Sequence, residues 1–337
     1  MTCTQSSAIT RLAREILVAM PDLRLGSILT AIVTPFDPAS GRVDEDAFVA
    51  LMAHLAAHGS DGFVVAGTTG EAATLTDEEH LALIELAVRE RPPLLHGQGA
   101  RASVVAGTGT NDTRHAVYLT ERATELGADA QLSVTPYYNR PSPLGIKRHF
   151  EAVAAATDRP ILLYNIPART GTNMPPELLL ELAQIEHIDG VKQSNPAELQ
   201  PIDGLELYTG DDATFARTLD MGGAGGISVA SHIVGPQMRQ MVDEPALRHE
   251  IDASLQDVYK TLFLTASPTC TKAALNLLGL RAGTTRLPIV DATASETAAV
   301  RAMLERHGLL AGDSPAESRS PDVLGASPPA HQASSTA

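Results

Sequence analysis

A strand-like apolar segment followed by a helical pattern recurs along the chain at intervals of roughly 25 to 35 residues, the length of one βα unit. Most of these segments are continuously apolar, as expected of strands covered on both faces. Eight parallel strands with right-handed crossovers predict an α/β protein with a closed (β/α)8 TIM barrel rather than an open doubly wound sheet. The predicted strands are Ile28 to Val33, Gly62 to Ala66, Ser103 to Ala106, Asp129 to Val134, Ile161 to Asn165, Gly190 to Gln193, Glu206 to Thr209 and Gly226 to Ala230.

The segments on either side of these units predict the remaining organisation. Apolar residues at helical spacing predict an N-terminal helical extension at residues 1–26. The (β/α)8 barrel is expected at 27–235. It is followed by a C-terminal helical subdomain at 236–310, where apolar residues again recur at helical spacing. The last segment, 311–337, is rich in Ser, Pro, Ala and Gly and is expected to be a disordered tail.

The charge and the cysteines exclude several classes of function. A net charge of −15 opposes binding to nucleic acid and to anionic membranes. No segment reaches the ~20 consecutive apolar residues of a membrane span, and the N-terminus lacks the apolar core of a secretory signal. Cys3 and Cys270 lie far apart, which predicts neither a disulfide framework nor a zinc site and fits a reducing compartment. We therefore expect a cytoplasmic protein that acts on a small molecule.

Lys192, on the predicted sixth strand, is the most informative of the reactive residues at the carboxyl ends of the strands, where barrel active sites lie. Only four of the 25 basic residues are lysine, so arginine is the usual cation of this chain. A lysine amine that is desolvated on a core strand loses proton affinity and becomes a nucleophile, which an arginine cannot do. Lys192 is therefore predicted to form an imine with a carbonyl substrate. The alternative is a core lysine held in a salt bridge.

Four motifs around this position carry a family resemblance over about Ser27 to Ala292. The pattern resembles the pyruvate-dependent aldolase superfamily of dihydrodipicolinate synthase and N-acetylneuraminate lyase. The resemblance implies that Lys192 condenses with pyruvate, that the protonated imine loses a methyl proton, and that the resulting enamine attacks an aldehyde. No metal or organic cofactor is implied. The motifs are Gly67-Thr-Thr-Gly-Glu71, Tyr137-Tyr-Asn-Arg-Pro-Ser142, Tyr164-Asn-Ile-Pro-Ala-Arg-Thr-Gly171 and Gly190-Val-Lys192.

The resemblance also implies roles for the residues around the lysine. Tyr164 moves protons with help from a relay through Thr68 and Tyr138, and Tyr138 comes from across a dimer interface in the relatives, so a homodimer or homotetramer is expected. Without the resemblance, the threonines fit loop stabilisation and the tyrosines fit core or interface packing equally well. Glu71 is interpreted as a structural carboxylate at its turn. The implied substrate-binding residues are Thr69, Gly70, Arg169, Gly210 and Ile227.

Arg169 indicates the second substrate. A guanidinium binds a carboxylate through two hydrogen bonds. The resemblance therefore implies L-aspartate 4-semialdehyde as the aldehyde and 4-hydroxy-tetrahydrodipicolinate, a precursor of diaminopimelate and lysine, as the product. One alternative is a sister aldolase or dehydratase acting on a sugar acid or another 2-oxo acid, and a second is a non-catalytic barrel that binds a small acid. A third is a phosphate-binding barrel enzyme that uses Gly222 to Gly226, a run otherwise expected to form a tight turn beside the eighth strand.

Two positions depart from the family pattern. Gln193 follows the lysine where the synthases commonly have glutamate. His115 stands where lysine-inhibited relatives have a second carboxylate for the effector's amine, although His80, Asn111 and Tyr137 match other parts of that effector site. Because an imidazole is a poor partner for an ammonium group, we expect weak or absent inhibition by lysine.

Overall fold

Eight parallel strands follow one another around a closed barrel in the computed structural model, which describes residues 25–96 and 100–310. The last strand pairs with the first, and this confirms the predicted (β/α)8 barrel. Every predicted strand is present, with both ends within two residues of the prediction. The strands are β1 Ile28–Ala31, β2 Gly62–Val65, β3 Ser103–Gly107, β4 Ala130–Val134, β5 Ile161–Asn165, β6 Ile188–Gln193, β7 Glu206–Thr209 and β8 Gly225–Ser228.

Helices connect the strands on the outside of the barrel, except between β6 and β7, where the chain forms only the 3-10 turn Pro196–Glu198. Thr76 and Glu79 form the capping box that begins α2, and Pro143 is the first residue of α4. The helices are α1 Glu45–Ala57, α2 Asp77–Arg89, α3 Thr113–Glu125, α4 Pro143–Ala154, α5 Pro167–Thr170, α6 Pro176–Leu182, α7 Phe215–Asp220, α8 Ser231–Asp243, α9 Arg248–Ser254, α10 Gln256–Leu262, α11 Thr269–Leu277 and α12 Ala294–Arg306.

Of the predicted segment boundaries, only the one between the barrel and the C-terminal subdomain lies well inside the described residues. Helix α8 spans the predicted boundary between residues 235 and 236, with a kink at Val234 just before Pro236. Helices α9 to α12 follow within the predicted C-terminal subdomain. The predicted tail lies outside the described residues, as does all of the predicted N-terminal extension except Leu25 and Gly26. None of the described helices combines the length and the hydrophobicity that a transmembrane segment requires.

The barrel lumen is filled by one cluster of buried apolar side chains. Successive side chains on a strand point to opposite faces, so Leu162 and Tyr164 face the lumen while Ile161 and Leu163 pack under the helices. Every strand except β6 contributes an apolar side chain to the lumen cluster. Since Lys192 pairs in register with Tyr164 on one side and Tyr208 on the other, it occupies the lumen position of β6. The fold thus buries an amine where its neighbours bury apolar groups.

Glycines allow the barrel to close between β8 and β1. A Cβ atom on Gly225 would lie 1.9 Å from the carbonyl oxygen of Ser27, and the φ of Gly225 is +154°. No other residue fits so close to a neighbouring backbone. Gly222 to Ala224 form the turn before β8 that the sequence predicts, and Gly225 and Gly226 begin the strand itself.

Candidate active site

Lys192 lies at the carboxyl end of β6 with only 6% of its surface exposed. Its Nζ atom is 4.3 Å from the centroid of the Tyr164 ring. No carboxylate of the described residues lies within salt-bridge distance of this amine, and no described group accepts a hydrogen bond from it. Lys192 is thus a buried amine that no described group engages by an ion pair or a hydrogen bond, which leaves its nitrogen available to react with a bound carbonyl compound.

Lys272, the other buried lysine of the described chain, has the opposite environment. Its Nζ atom lies 2.6 Å from Oε1 of Glu71 and donates to the carbonyl oxygen of Thr284, also at 2.6 Å. The second carboxylate oxygen of Glu71 accepts a hydrogen bond from the backbone N–H of Arg286. Glu71 is thus occupied by structural contacts, as the sequence predicts. The salt-bridged core lysine that was the alternative for Lys192 describes Lys272 instead.

The loop after β2 presents two threonines to the mouth of the barrel. Thr69 is buried and Thr68 is exposed, and neither hydroxyl makes a hydrogen bond with another described residue. The loop is held instead by its backbone, since Glu71 N donates to Thr68 O and Thr34 Oγ1 donates to Gly70 O. The two hydroxyls therefore stabilise no local structure and are available to a ligand.

Gly210 follows β7 and borders Lys192, and Ile227 lies on β8 in the wall of the lumen. A Cβ atom on Gly210 would lie 2.8 Å from Cε of Lys192, so only glycine leaves room for the lysine side chain. Ile227 is almost fully buried in the lumen cluster. The structure thus brings Gly210 against Lys192 and places Ile227 on a lumen wall.

Arg169 lies at the mouth of the barrel, on the short helix α5 that follows β5. It is exposed and forms no ion pair with a described residue. It borders a cavity of about 480 Å³ that extends from the lumen to the surface. Residues that line this cavity include Thr68, His115, Leu132, Tyr137, Tyr164 and Arg169. An unpaired guanidinium beside an open cavity is suited to bind an anionic group.

Tyr138, another predicted catalytic residue, projects away from the rest of its own chain. Its side chain is 89% exposed, and its φ of +71° lies in the left-handed region. The backbone N–H of Tyr138 contacts the carbonyl oxygen of Thr170 at 3.4 Å, which ties this loop to the helix that carries Arg169. Within one chain, the side chain of Tyr138 therefore has no packing role.

A network of buried amides, which sequence reasoning missed, supports this end of the barrel. Asn165 Nδ2 donates to Oε1 of Gln193, to Oδ1 of Asn173 and to the carbonyl oxygen of Met174. Asn173 in turn donates to both carboxylate oxygens of Glu198. Gln193, which departs from the family pattern, thus serves as a neutral acceptor that joins β6 to β5. Its side chain points away from the lumen and does not contact the reacting groups.

The residues that match the effector site lie together on one side of the cavity. His115 Nε2 lies 3.0 Å from Oδ1 of Asp77, a carboxylate that none of the sequence motifs includes. His80 is buried with its Nε2 2.7 Å from the carbonyl oxygen of Gly107, and burial lowers the pKa of this imidazole. A carboxylate is therefore present among these residues, but the imidazole of His115 already contacts it.

Comparison with known proteins places the chain in a family. The model of the dihydrodipicolinate synthetase family matches residues 24–307. The 4-hydroxy-tetrahydrodipicolinate synthase of Moorella thermoacetica is 45% identical over 305 residues, which cover 86% of this chain and 100% of that protein. The synthase of a Synechococcus species is 40% identical over 303 residues, which cover 86% of this chain and 96% of that protein.

Solved structures agree with this placement. The dihydrodipicolinate synthase from Cyanidioschyzon merolae with lysine bound matches with a TM-score of 0.80 and 40% identity, over 85% of this chain and 99% of that one. The chloride-inhibited enzyme from Acinetobacter baumannii complexed with pyruvate matches with a TM-score of 0.79 and 32% identity, over 85% of this chain and 100% of that one. The predicted resemblance is confirmed, and the chain belongs to the dihydrodipicolinate synthetase family.

Proposed function

We propose that this chain condenses pyruvate with L-aspartate 4-semialdehyde to 4-hydroxy-tetrahydrodipicolinate, through an imine on Lys192. The observation that carries the proposal is the buried amine of Lys192, which has no counter-ion among the described residues and lies at the mouth of the barrel. The names of the relatives at 40 and 45% identity support this choice of reaction. The reaction serves diaminopimelate and lysine synthesis, which we place in the cytoplasm.

The chemistry begins when the amine of Lys192 attacks the keto carbon of pyruvate and water is lost. The positive nitrogen of the imine then withdraws electrons, so that the methyl group loses a proton and an enamine forms. The enamine carbon bonds to the aldehyde carbon, and the aldehyde oxygen takes up a proton. The amine of the semialdehyde finally displaces Lys192 from the imine carbon, which closes the ring and frees the enzyme.

The surrounding groups have distinct tasks in this proposal. The hydroxyls of Thr68 and Thr69 are unpaired within the described chain, which suits them to the pyruvate carboxylate and to proton transfer. Tyr164 supplies and removes protons beside the amine. Arg169 binds the carboxylate of the semialdehyde. Tyr138, exposed on its own chain, completes the relay of a second copy in a homodimer or homotetramer.

The first experiment tests the imine. The protein is incubated with pyruvate, reduced with borohydride and analysed by intact mass and peptide mapping, and we expect one reduced adduct on Lys192. Lys192→Arg keeps the positive charge and is expected to abolish the adduct. Lys147→Arg, the same change at a surface lysine paired with Glu181, is the matched control and is expected to react normally. If no adduct forms, or if the adduct is on another lysine, the proposal is wrong.

The second experiment tests the aldehyde. Steady-state rates with pyruvate are compared for aspartate semialdehyde, N-acetylmannosamine and glyceraldehyde, and the semialdehyde is expected to give the highest kcat/KM. Arg169→Lys keeps the positive charge but removes the bidentate hydrogen bonding of a guanidinium. It is expected to raise the KM for the semialdehyde more than that for glyceraldehyde. If the semialdehyde gives no advantage over the other two, the proposed substrate is wrong.

A further inference from the structure

Ser194 follows Lys192 by two positions and therefore points to the same side of the chain, toward the lumen. Its backbone N–H donates to the carbonyl oxygen of Asn165 at 2.8 Å, which continues the pairing between β6 and β5 beyond the end of the strand. Ser194 thus lies one step nearer the mouth than Lys192.

The hydroxyl of Ser194 is close to the lysine side chain. A Cβ atom on Gly210 would lie 2.0 Å from Oγ of Ser194 and 2.8 Å from Cε of Lys192, so both atoms border the small space that glycine leaves open. Tyr164 approaches Lys192 from β5, whereas Ser194 Oγ lies toward β7, where Gly210 follows the strand end. The amine therefore has one hydroxyl-bearing residue on each side.

The Ser194 hydroxyl is buried and has no hydrogen-bond partner among the described residues. Leaving a buried hydroxyl unpaired costs stability, and native structures rarely retain such a group without a reason. A second group of this kind, Oγ of Ser133, provides a comparison, since it is equally unpaired but lies on the helix-facing side of β4. Only the Ser194 hydroxyl adjoins the reactive lysine.

We propose that the Ser194 hydroxyl hydrogen-bonds the oxygen that the keto acid loses when Lys192 forms its imine. This role rests on the proposed function. When the amine attacks the keto carbon, a C–N bond forms and the C=O π bond opens to an oxygen that takes a proton from the nitrogen. The C–O bond then breaks, the nitrogen lone pair forms the C=N bond, and the oxygen leaves as water with one further proton from the solvent. Ser194 holds this oxygen in place through both steps.

The test is a time course of imine formation with pyruvate alone. Enzyme and pyruvate are mixed, quenched with borohydride at successive times, and the modified fraction is measured by mass. Ser194→Ala removes only the hydroxyl and is expected to slow imine formation about tenfold, the effect of one lost hydrogen bond. The KM for the aldehyde is expected to stay unchanged, and the melting temperature is expected to stay equal or rise, because an unpaired buried group is removed.

Ser133→Ala is the matched control, because it removes another unpaired buried serine hydroxyl, one that lies away from the lumen. It is expected to leave the rate of imine formation unchanged. If the original protein and Ser194→Ala form the imine at equal rates, the proposed role of Ser194 is wrong, while the proposed function still stands. If Ser194→Ala lowers the melting temperature and also weakens the binding of both substrates, Ser194 has a structural role, and the proposal is again wrong. An unmodified protein that forms no adduct at all would instead overturn the proposed function.

Discussion

The Nζ atom of Lys192 lies over the ring of Tyr164, 4.3 Å from its centroid, and the two residues are register partners on β6 and β5. An aromatic face attracts positive charge, so the ring stabilises the cationic nitrogen that the amine becomes in the imine. The phenol hydroxyl makes no hydrogen bond with another described residue. Ring and hydroxyl therefore have separable tasks at this site.

Tyr164→Phe separates the two tasks. The ring remains, so we expect the pyruvate adduct on Lys192 still to form. Turnover requires proton transfer, and a positioned acid–base group contributes about 10²–10⁴-fold, so kcat is expected to fall by about 100-fold or more. Steady-state kinetics and borohydride trapping on the same preparation check both statements. A kcat close to that of the unmodified protein would exclude Tyr164 as the group that transfers the proton.

Tyr138 is expected to act in the neighbouring subunit, and mixing two inactive variants tests this. Lys192→Met and Tyr138→Phe are each expected to lose most activity. In a hybrid dimer of the two, one site combines the intact Lys192 of one chain with the intact Tyr138 of the other. Unfolding and refolding an equal mixture is therefore expected to restore about a quarter of the original activity by statistical pairing. If Tyr138 acts within its own chain, mixing restores nothing.

Lysine is expected to inhibit weakly or not at all. An effector amine would have to displace His115 from the Asp77 carboxylate, with which it makes a 3.0 Å contact. Initial rates over a range of lysine concentrations check this expectation. His115→Glu supplies a second carboxylate and is expected to strengthen inhibition. Half-maximal inhibition of the unmodified protein by micromolar lysine would contradict the prediction.

Two buried imidazoles predict a loss of stability in mild acid. Burial lowers the pKa of His149 and of His232 from 6.5 to about 4. Below pH 6.5 the two imidazoles bind protons in the unfolded chain but stay neutral in the folded chain. The free energy of unfolding is therefore unaffected by these groups above pH 6.5 and decreases as the pH falls toward 4. Each group accounts for a loss of about 3 kcal/mol over that range.

His149→Leu tests the contribution of one of these groups. Its Nε2 atom is buried without a partner, so an apolar replacement leaves at most the Thr113 hydroxyl, which contacts Nδ1 at 3.0 Å, to find a new partner. Urea unfolding at pH 8 and pH 5 is expected to show a smaller difference in unfolding free energy for the variant than for the unmodified protein. An unchanged difference would mean that His149 is not kept neutral by burial.

The sequence predicts the strands well because burial on both faces leaves a direct trace in continuous apolar runs. Lys192 is recognisable because lysine is scarce in this chain and stands on a core strand. The ion pair between Lys272 and Glu71 leaves no such trace, since its members lie on α11 and on the loop after β2, far apart in the chain. The position of Ser194 could be predicted from the sequence, because the alternation of strand side chains places it on the same face as Lys192. Its missing hydrogen-bond partner is visible only in the folded structure.

A crystal of the protein soaked in pyruvate tests the central claim most directly. We predict continuous density from Nζ of Lys192 to the keto carbon of pyruvate, with Lys272 still paired with Glu71. Density that leaves the Lys192 amine unlinked and in contact with a carboxylate would contradict the account.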